Sequence, residues 1–157
     1  MEKYSGNKLT TAEKAVLAEK KNRVYKELLL KMTPADVTSE VRDTLTAIKA
    51  RGYKVAVGSS SKNSKLILNQ VKMLDAFDAI SDGNNIKKSK PDPEVFLKAA
   101  EYLEIEPKNC LIVEDADAGI EAGIAAQMKT AAIGPAIHLK KADYDLKSFG
   151  DLLNILD

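Results

Sequence analysis

Apolar positions recur along this chain at two different spacings, and the alternation between them predicts helices and short strands in turn. Residues 10–32 read as a long helix. Thr10-x-x-Glu13 forms a capping-box pattern, and Val16, Leu17, Val24, Leu28 and Met32 follow at mostly helical spacing, with a Lys- and Glu-rich opposite face. Thr33-Pro34-Ala35-Asp36 breaks the pattern and reads as a hinge. A helix standing alone before a hinge has little to pack on. Val41, Leu45 and Ile48 then share one face of a second helix, which Ser39 can cap and Gly52 ends. Val55-Ala56-Val57 reads as a strand, followed by the polar loop Gly58-Ser59-Ser60-Ser61-Lys62-Asn63.

The same alternation continues to the end of the sequence. Leu66, Ile67, Val71 and Leu74 predict a helix. Ala79-Ile80 is a short strand, closed by the turn Ser81-Asp82-Gly83-Asn84-Asn85. Asp92 can cap, and Pro93 can open, a helix whose buried face is Val95, Phe96, Ala99, Ala100 and Leu103. Leu111-Ile112-Val113 is too short for a helix and is bounded by polar residues, so a buried parallel strand is expected there. A helix through Ile120 and Ile124, a strand over 130–133 closed by Gly134-Pro135, and a final helix with Leu152, Leu153 and Leu156 complete the chain. Repeated units of this kind imply an α/β fold: a Rossmann-like parallel sheet with helices on both faces.

Composition narrows the function classes. With 157 residues, 45% hydrophobic and 30% charged, the chain fits about one globular domain. A net charge of +1 gives no nucleic-acid footprint. No apolar run approaches the ~18 residues of a membrane span. The polar N-terminus carries no signal-peptide pattern, which points to a cytoplasmic protein. The single cysteine, Cys110, cannot form an internal disulfide and reads as a small buried residue. The lone histidine, His138, falls in a loop and receives no role.

Three segments can carry chemistry at the carboxyl ends of the strands, where open α/β sheets bind ligands. Ser59, Ser60, Ser61, Lys62 and Asn63 offer hydroxyls, backbone N–H groups and an adjoining helix start, the elements of an anion site. Lys90 precedes Pro91, which biases it toward extended backbone and suits a fixed point charge on a phosphate. The alternative is a solvated lysine in a basic run with Lys87 and Lys88. Glu114 and Asp115 sit where the strand 111–113 stops, and two carboxylates there suit Mg²⁺, which takes one or two carboxylates with waters and phosphate oxygens. Here too a structural alternative stands, with Asp115 or Asp117 serving as a helix cap. Together the segments supply what phosphoryl transfer needs, because that reaction depends on positioning and charge neutralisation.

The order of the three is more specific than any one. A strand ending in Ser59, Lys90-Pro91-Asp92-Pro93 before a helix, and a strand ending in Glu114-Asp115 with Gly119-Ile120 after it resembles the haloacid dehalogenase superfamily over residues 33–157. Ser59 matches that family's second motif, Lys90 its third, and Glu114 with Asp115 its fourth. The run Ser59-x-Ser61-Lys62-Asn63 is similar to the β-phosphoglucomutase branch. Lys20-Lys21-Asn22 with Tyr25, then Thr33-Pro34-Ala35-Asp36-Val37, is similar to the last helix of that branch's helical cap and the hinge to the core. The resemblance implies a remnant of the cap over 1–33 and an incomplete α/β core over 34–157. It also implies Mg²⁺ as cofactor, a small sugar phosphate as substrate, and Lys21 facing that substrate from the cap.

The family works through an aspartate nucleophile in an Asp-x-Asp-Gly motif after its first strand, and the 157 residues contain no such motif. Asp115-x-Asp117 copies the spacing, but Glu114 precedes it, Ala118-Gly119-Ile120 follows, and Ser59 and Lys90 lie upstream, where a first motif should have none of them. The resemblance therefore implies a truncated core whose missing first strand would lie between the strands ending at Ser59 and Glu114. Those two strands would close on each other, or take a complementing segment or partner chain, or leave the fold unstable. Functionally, the expectation is sugar-phosphate phosphoryl transfer, mutase or phosphatase, inactive in this chain alone. The alternatives are a non-catalytic phosphate- and Mg²⁺-binding module and a truncated gene product without a role.

Overall fold

The computed structural model describes residues 10–156, so the first nine residues of the expected cap segment lie outside it. Helix α1 spans Thr11–Leu29 and opens on the expected capping box between Thr10 and Glu13. Its apolar residues stay uncovered: Val16 is 65% exposed and Leu28 55%, while Leu29 is buried. Pro34–Asp36 forms a short 3₁₀ turn at the expected hinge. Helix α2, Ser39–Ala50, is capped one residue earlier than the sequence suggests, by the Thr38 hydroxyl, which accepts from the Val41 N–H. Gly52, at φ +86°, ends it in the left-handed conformation that favours glycine.

The alternation then proceeds as β1 (Ala56–Gly58), α3 (Ser64–Gln70), β2 (Ala79–Ser81), α4 (Glu94–Leu103), β3 (Leu111–Glu114), α5 (Asp117–Ala125), β4 (Lys129–Ile133), β5 (Tyr144–Leu146) and α6 (Leu152–Ile155). The expected face of α4 is buried at all five positions, Val95, Phe96, Ala99, Ala100 and Leu103. Asp92 acts one residue outside its predicted place: the N-cap is Pro93, and the Asp92 carboxylate accepts from the Glu94 N–H at 3.0 Å. Neither Asp115 nor Asp117 is an N-cap. That position falls to Ala116, with no side-chain cap, because Asp117 already lies in the first turn. Strand β5 carries no sequence signal beyond Leu146, since Tyr144 and Asp145 are exposed at the sheet's edge.

All strand pairs are parallel. Val57 faces Ile80 in the β1–β2 pair, and Val113 faces Ala131 in the β3–β4–β5 group. Among the described residues no ladder joins β1 to β3, so the sheet is interrupted between them. Helices nevertheless cover both faces. Val95, Phe96 and Ala100 of α4 meet Ala122 and Ala126 of α5 over Ile112. On the other side Ile48 and Leu152 pack with Ala131 and Leu146 over Val55, Leu111 and Val113. The strand's period of two sends Ile112 to one face and its neighbours to the other. The interruption shows in the burial: Ala131 and Ala132 of β4 are 0% and 1% exposed, whereas every residue of β1 and β3 is only half-buried. Of the outcomes expected for the two strands, closure into a shared ladder is not adopted. Among the described residues each keeps an unpaired edge, whose N–H and C=O groups must meet water or another strand.

Polar side chains fasten what the short strands do not. The Asp78 carboxylate accepts from the Val55 N–H at 2.8 Å and from Lys49 at 2.9 Å. Asp143 accepts from Lys129 at 2.6 Å and from the Thr130 N–H at 2.9 Å. The Val55 N–H and then Lys49 hold the Asp78 carboxyl below the usual carboxylate range, and Lys129 and then the Thr130 N–H do the same for Asp143. At the other end, one Arg51 nitrogen donates to the carbonyls of Leu153 and Leu156, at 2.8 and 3.0 Å, tying α6 to the end of α2.

Candidate functional site

The loop after β1 is organised by its own hydroxyls. Ser59 Oγ accepts from the Ser61 N–H, and Ser61 Oγ from the Asn63 N–H, each at 3.1 Å. Such local side-chain bonds stabilise a compact turn instead of a helix. The turn after β2 braces it from behind. The Ser59 N–H donates to the Ser81 carbonyl at 2.9 Å, the Gly83 N–H to the Ser61 carbonyl at 3.1 Å, and the Asn84 amide to the Lys62 carbonyl at 3.0 Å. Gly83 is required there: a Cβ would lie 2.5 Å from the Ser60 carbonyl oxygen. Asn63, 8% exposed, also donates through its amide to Asn22 of α1 at 3.2 Å.

Lys90 joins this loop to the carboxylates. Its backbone N–H donates to Ser60 Oγ at 3.4 Å, and its ammonium pairs with Glu114. The two side chains are 17% and 10% exposed, whereas Lys87 and Lys88 are exposed. A lysine of a solvated basic run would resemble those two, and Lys90 does not. The Lys90–Pro91 peptide is cis. The Lys90 ammonium also stands 4.7 Å from the centre of the Phe96 ring. Three segments separated in sequence thus meet at the carboxyl ends of β1 and β3, around Ser60, Lys90 and Glu114.

The two carboxylates differ in surroundings. Glu114 is ion-paired and lies against Gly119, where a Cβ would overlap its carboxylate. Asp115 is exposed. Among the described residues no group of three or more His, Cys, Asp or Glu side chains could hold a metal. The donors fit Mg²⁺ as part of a shell, because that ion keeps waters and phosphate oxygens beside one or two carboxylates. Lys21 lies on the exposed surface of α1, next to Asn22, which is the residue of that segment bonded to the loop.

Several features here had no sequence signal. Phe96 reads only as core. Ser81 and Asp82 read as a turn, yet they are 0% and 3% exposed, and among the described residues Ser81 Oγ and Asp82 Oδ2 have no hydrogen-bond partner. His138 lies 3.5 Å from Asp117 with both exposed. Cys110 is half-buried, and burial pushes its thiol pKa up, away from nucleophilic use. No described helix is long and apolar enough to cross a membrane.

Known proteins resemble this chain over most of its length. The sequence profile of the haloacid dehalogenase-like hydrolases matches residues 2–133. A β-phosphoglucomutase of Bacillus subtilis is 38% identical over 145 residues, covering 92% of this chain and 64% of that protein. A phosphoglycolate phosphatase of Aquifex aeolicus is 36% identical over 166 residues, covering 99% of this chain and 78% of that one. The crystal structure of a Clostridium difficile β-phosphoglucomutase superposes with a TM-score of 0.85 at 37% identity, over 96% of this chain and 66% of that one. The chain therefore spans just under two thirds of the two β-phosphoglucomutases it matches.

Proposed function

The chain belongs to the haloacid dehalogenase-like hydrolase family, and on that premise we propose that it carries the phosphate- and Mg²⁺-binding part of a β-phosphoglucomutase-like phosphoryl transferase acting on a sugar phosphate. Residues 1–33 belong to a helical cap and 34–157 to the core. Ser59, Ser60, Ser61, Lys62 and Asn63 surround the phosphate with hydroxyls and backbone donors, and Lys90 adds a fixed positive charge. Glu114 and Asp115 hold Mg²⁺, with Lys21 reaching the sugar from the cap. Bound there, Mg²⁺ supplies charge neutralisation at the phosphate oxygens. The observation that carries the proposal is Lys90, bonded through its backbone to the hydroxyl loop and through its ammonium to Glu114.

The attacking aspartate of the family is not among these 157 residues. Turnover then waits on a carboxylate from a segment outside them, seated as a strand on the unpaired edges of β1 and β3, where strand addition would satisfy the open backbone groups. A second reading, a module that holds a sugar phosphate without converting it, is favoured by the same missing motif. Thermal melting with Mg²⁺ and glucose 6-phosphate tests the binding that both share. A rise in Tm is expected, and none at millimolar ligand would count against both. Assay of the chain alone with Mg²⁺ against β-glucose 1-phosphate and an aryl phosphate should give no turnover. Robust turnover would contradict the need for an added carboxylate.

A further inference from the structure

The Phe96 ring is wedged between the two sides of the crevice. On one side it packs against the last residue of β1, so closely that a Cβ at Gly58 would lie 2.6 and 2.8 Å from two ring atoms. The position before Ser59 is thus open to the ring only because it is glycine. On the other side the ring stands 4.7 Å from the Lys90 ammonium, well inside the ~6 Å range of cation–π attraction. Phe96 is itself 4% exposed and fixed in the first turn of α4.

We propose that Phe96 is a positioning residue for Lys90, setting the distance between the cation and the Ser59–Asn63 loop. The inference rests on the phosphate role proposed for that crevice. Lys90 has two neighbours of different electrostatic kind. Glu114 attracts the ammonium with a full negative charge, which cancels the charge a phosphate would feel. The ring attracts it through a quadrupole and adds no net charge. Were Glu114 to bind a metal ion, the ring would still hold the ammonium, leaving its positive charge available to a phosphate.

The test is NMR of the whole chain, with the Lys90 ε-methylene resonance identified by its loss in Lys90→Arg. Ring current should shift that resonance upfield of the exposed lysines. Phe96→Leu, which keeps bulk and removes the π face, should return it to their position, while Phe96→Tyr should retain the shift. In parallel, titration with inorganic phosphate in Mg²⁺ should show Kd weakened about three- to thirty-fold by Phe96→Leu and little changed by Phe96→Tyr. The upfield shift in the unmutated chain needs no core substitution, so that reading stands even if Phe96→Leu folds poorly. A Lys90 resonance indistinguishable from exposed lysines would overturn the proposal. So would unchanged phosphate binding in Phe96→Leu where Lys90→Ala loses it. Equal phosphate binding by the unmutated chain and Lys90→Ala, with the ring shift intact, would remove the phosphate role of the crevice and uphold the placement of the ammonium.

Discussion

Glu114 and Gly119 are in direct contact across the turn from β3 into α5, with the glycine's missing side chain occupied by the carboxylate. The ion pair with Lys90 depends on that vacancy. Gly119→Ala should therefore displace Glu114 and loosen the pair. Overpacking of this kind costs about 1–3 kcal/mol, to be read as a lower urea midpoint at unchanged m-value.

Lys90→Ala removes the ion-pair partner of a carboxylate that is 10% exposed. Leaving a buried charge unpaired costs about 3–5 kcal/mol, and the partial exposure here places the loss near the lower end. Lys90→Met with Glu114→Gln should recover most of it, since no uncompensated charge remains. Urea denaturation of the single and double variants checks this. A double variant as unstable as Lys90→Ala would show that the pair's charge is not what matters.

These two predictions turn on contacts that the sequence shows unevenly. The meeting of Lys90 with the 59–63 loop and with Glu114 follows from the order of motifs, because each stands at the carboxyl end of a parallel strand or before the next helix. The buried face of α4 follows from period alone. What the pattern cannot show is whom a core residue touches: Phe96 as a neighbour of Lys90 looks the same in sequence as Phe96 against leucine. Caps moved by one residue at Thr38 and Pro93, because several residues near each helix start can accept the same N–H groups. Strand β5 is not legible in the sequence because its edge position buries only Leu146. The exposed apolar residues of α1 are visible in sequence as a face, and their lack of cover follows from the helix standing alone before a hinge; the burial of Leu29 is a tertiary fact.

Acid should weaken the fold through Asp78 and Asp143. Both carboxyls titrate below the usual carboxylate range when folded, against an unfolded value of about 3.9. The stability they contribute is present above that unfolded value and is lost as pH falls through the lower folded values. Unfolding free energy should thus fall steadily below about pH 4, and Asp78→Asn or Asp143→Asn should each make that fall shallower. An unchanged acid slope in both variants would contradict the assignment.

Arg51→Ala should free the C-terminal turn without unfolding the core, since its two acceptors are the carbonyls of Leu153 and Leu156. On an exposed side chain the loss should be about 1 kcal/mol. Amide exchange over 152–155 should quicken, while that of β4 stays unchanged.

The most direct measurement is an NMR titration of the chain with inorganic phosphate in the presence of Mg²⁺, following every assigned backbone amide. A single crevice predicts that Ser59–Asn63, Lys90 and Glu114–Asp117 shift together along one binding curve, and that Lys90→Ala abolishes the response in all three segments. Shifts scattered over the surface, or confined to one segment and indifferent to Lys90, would contradict it.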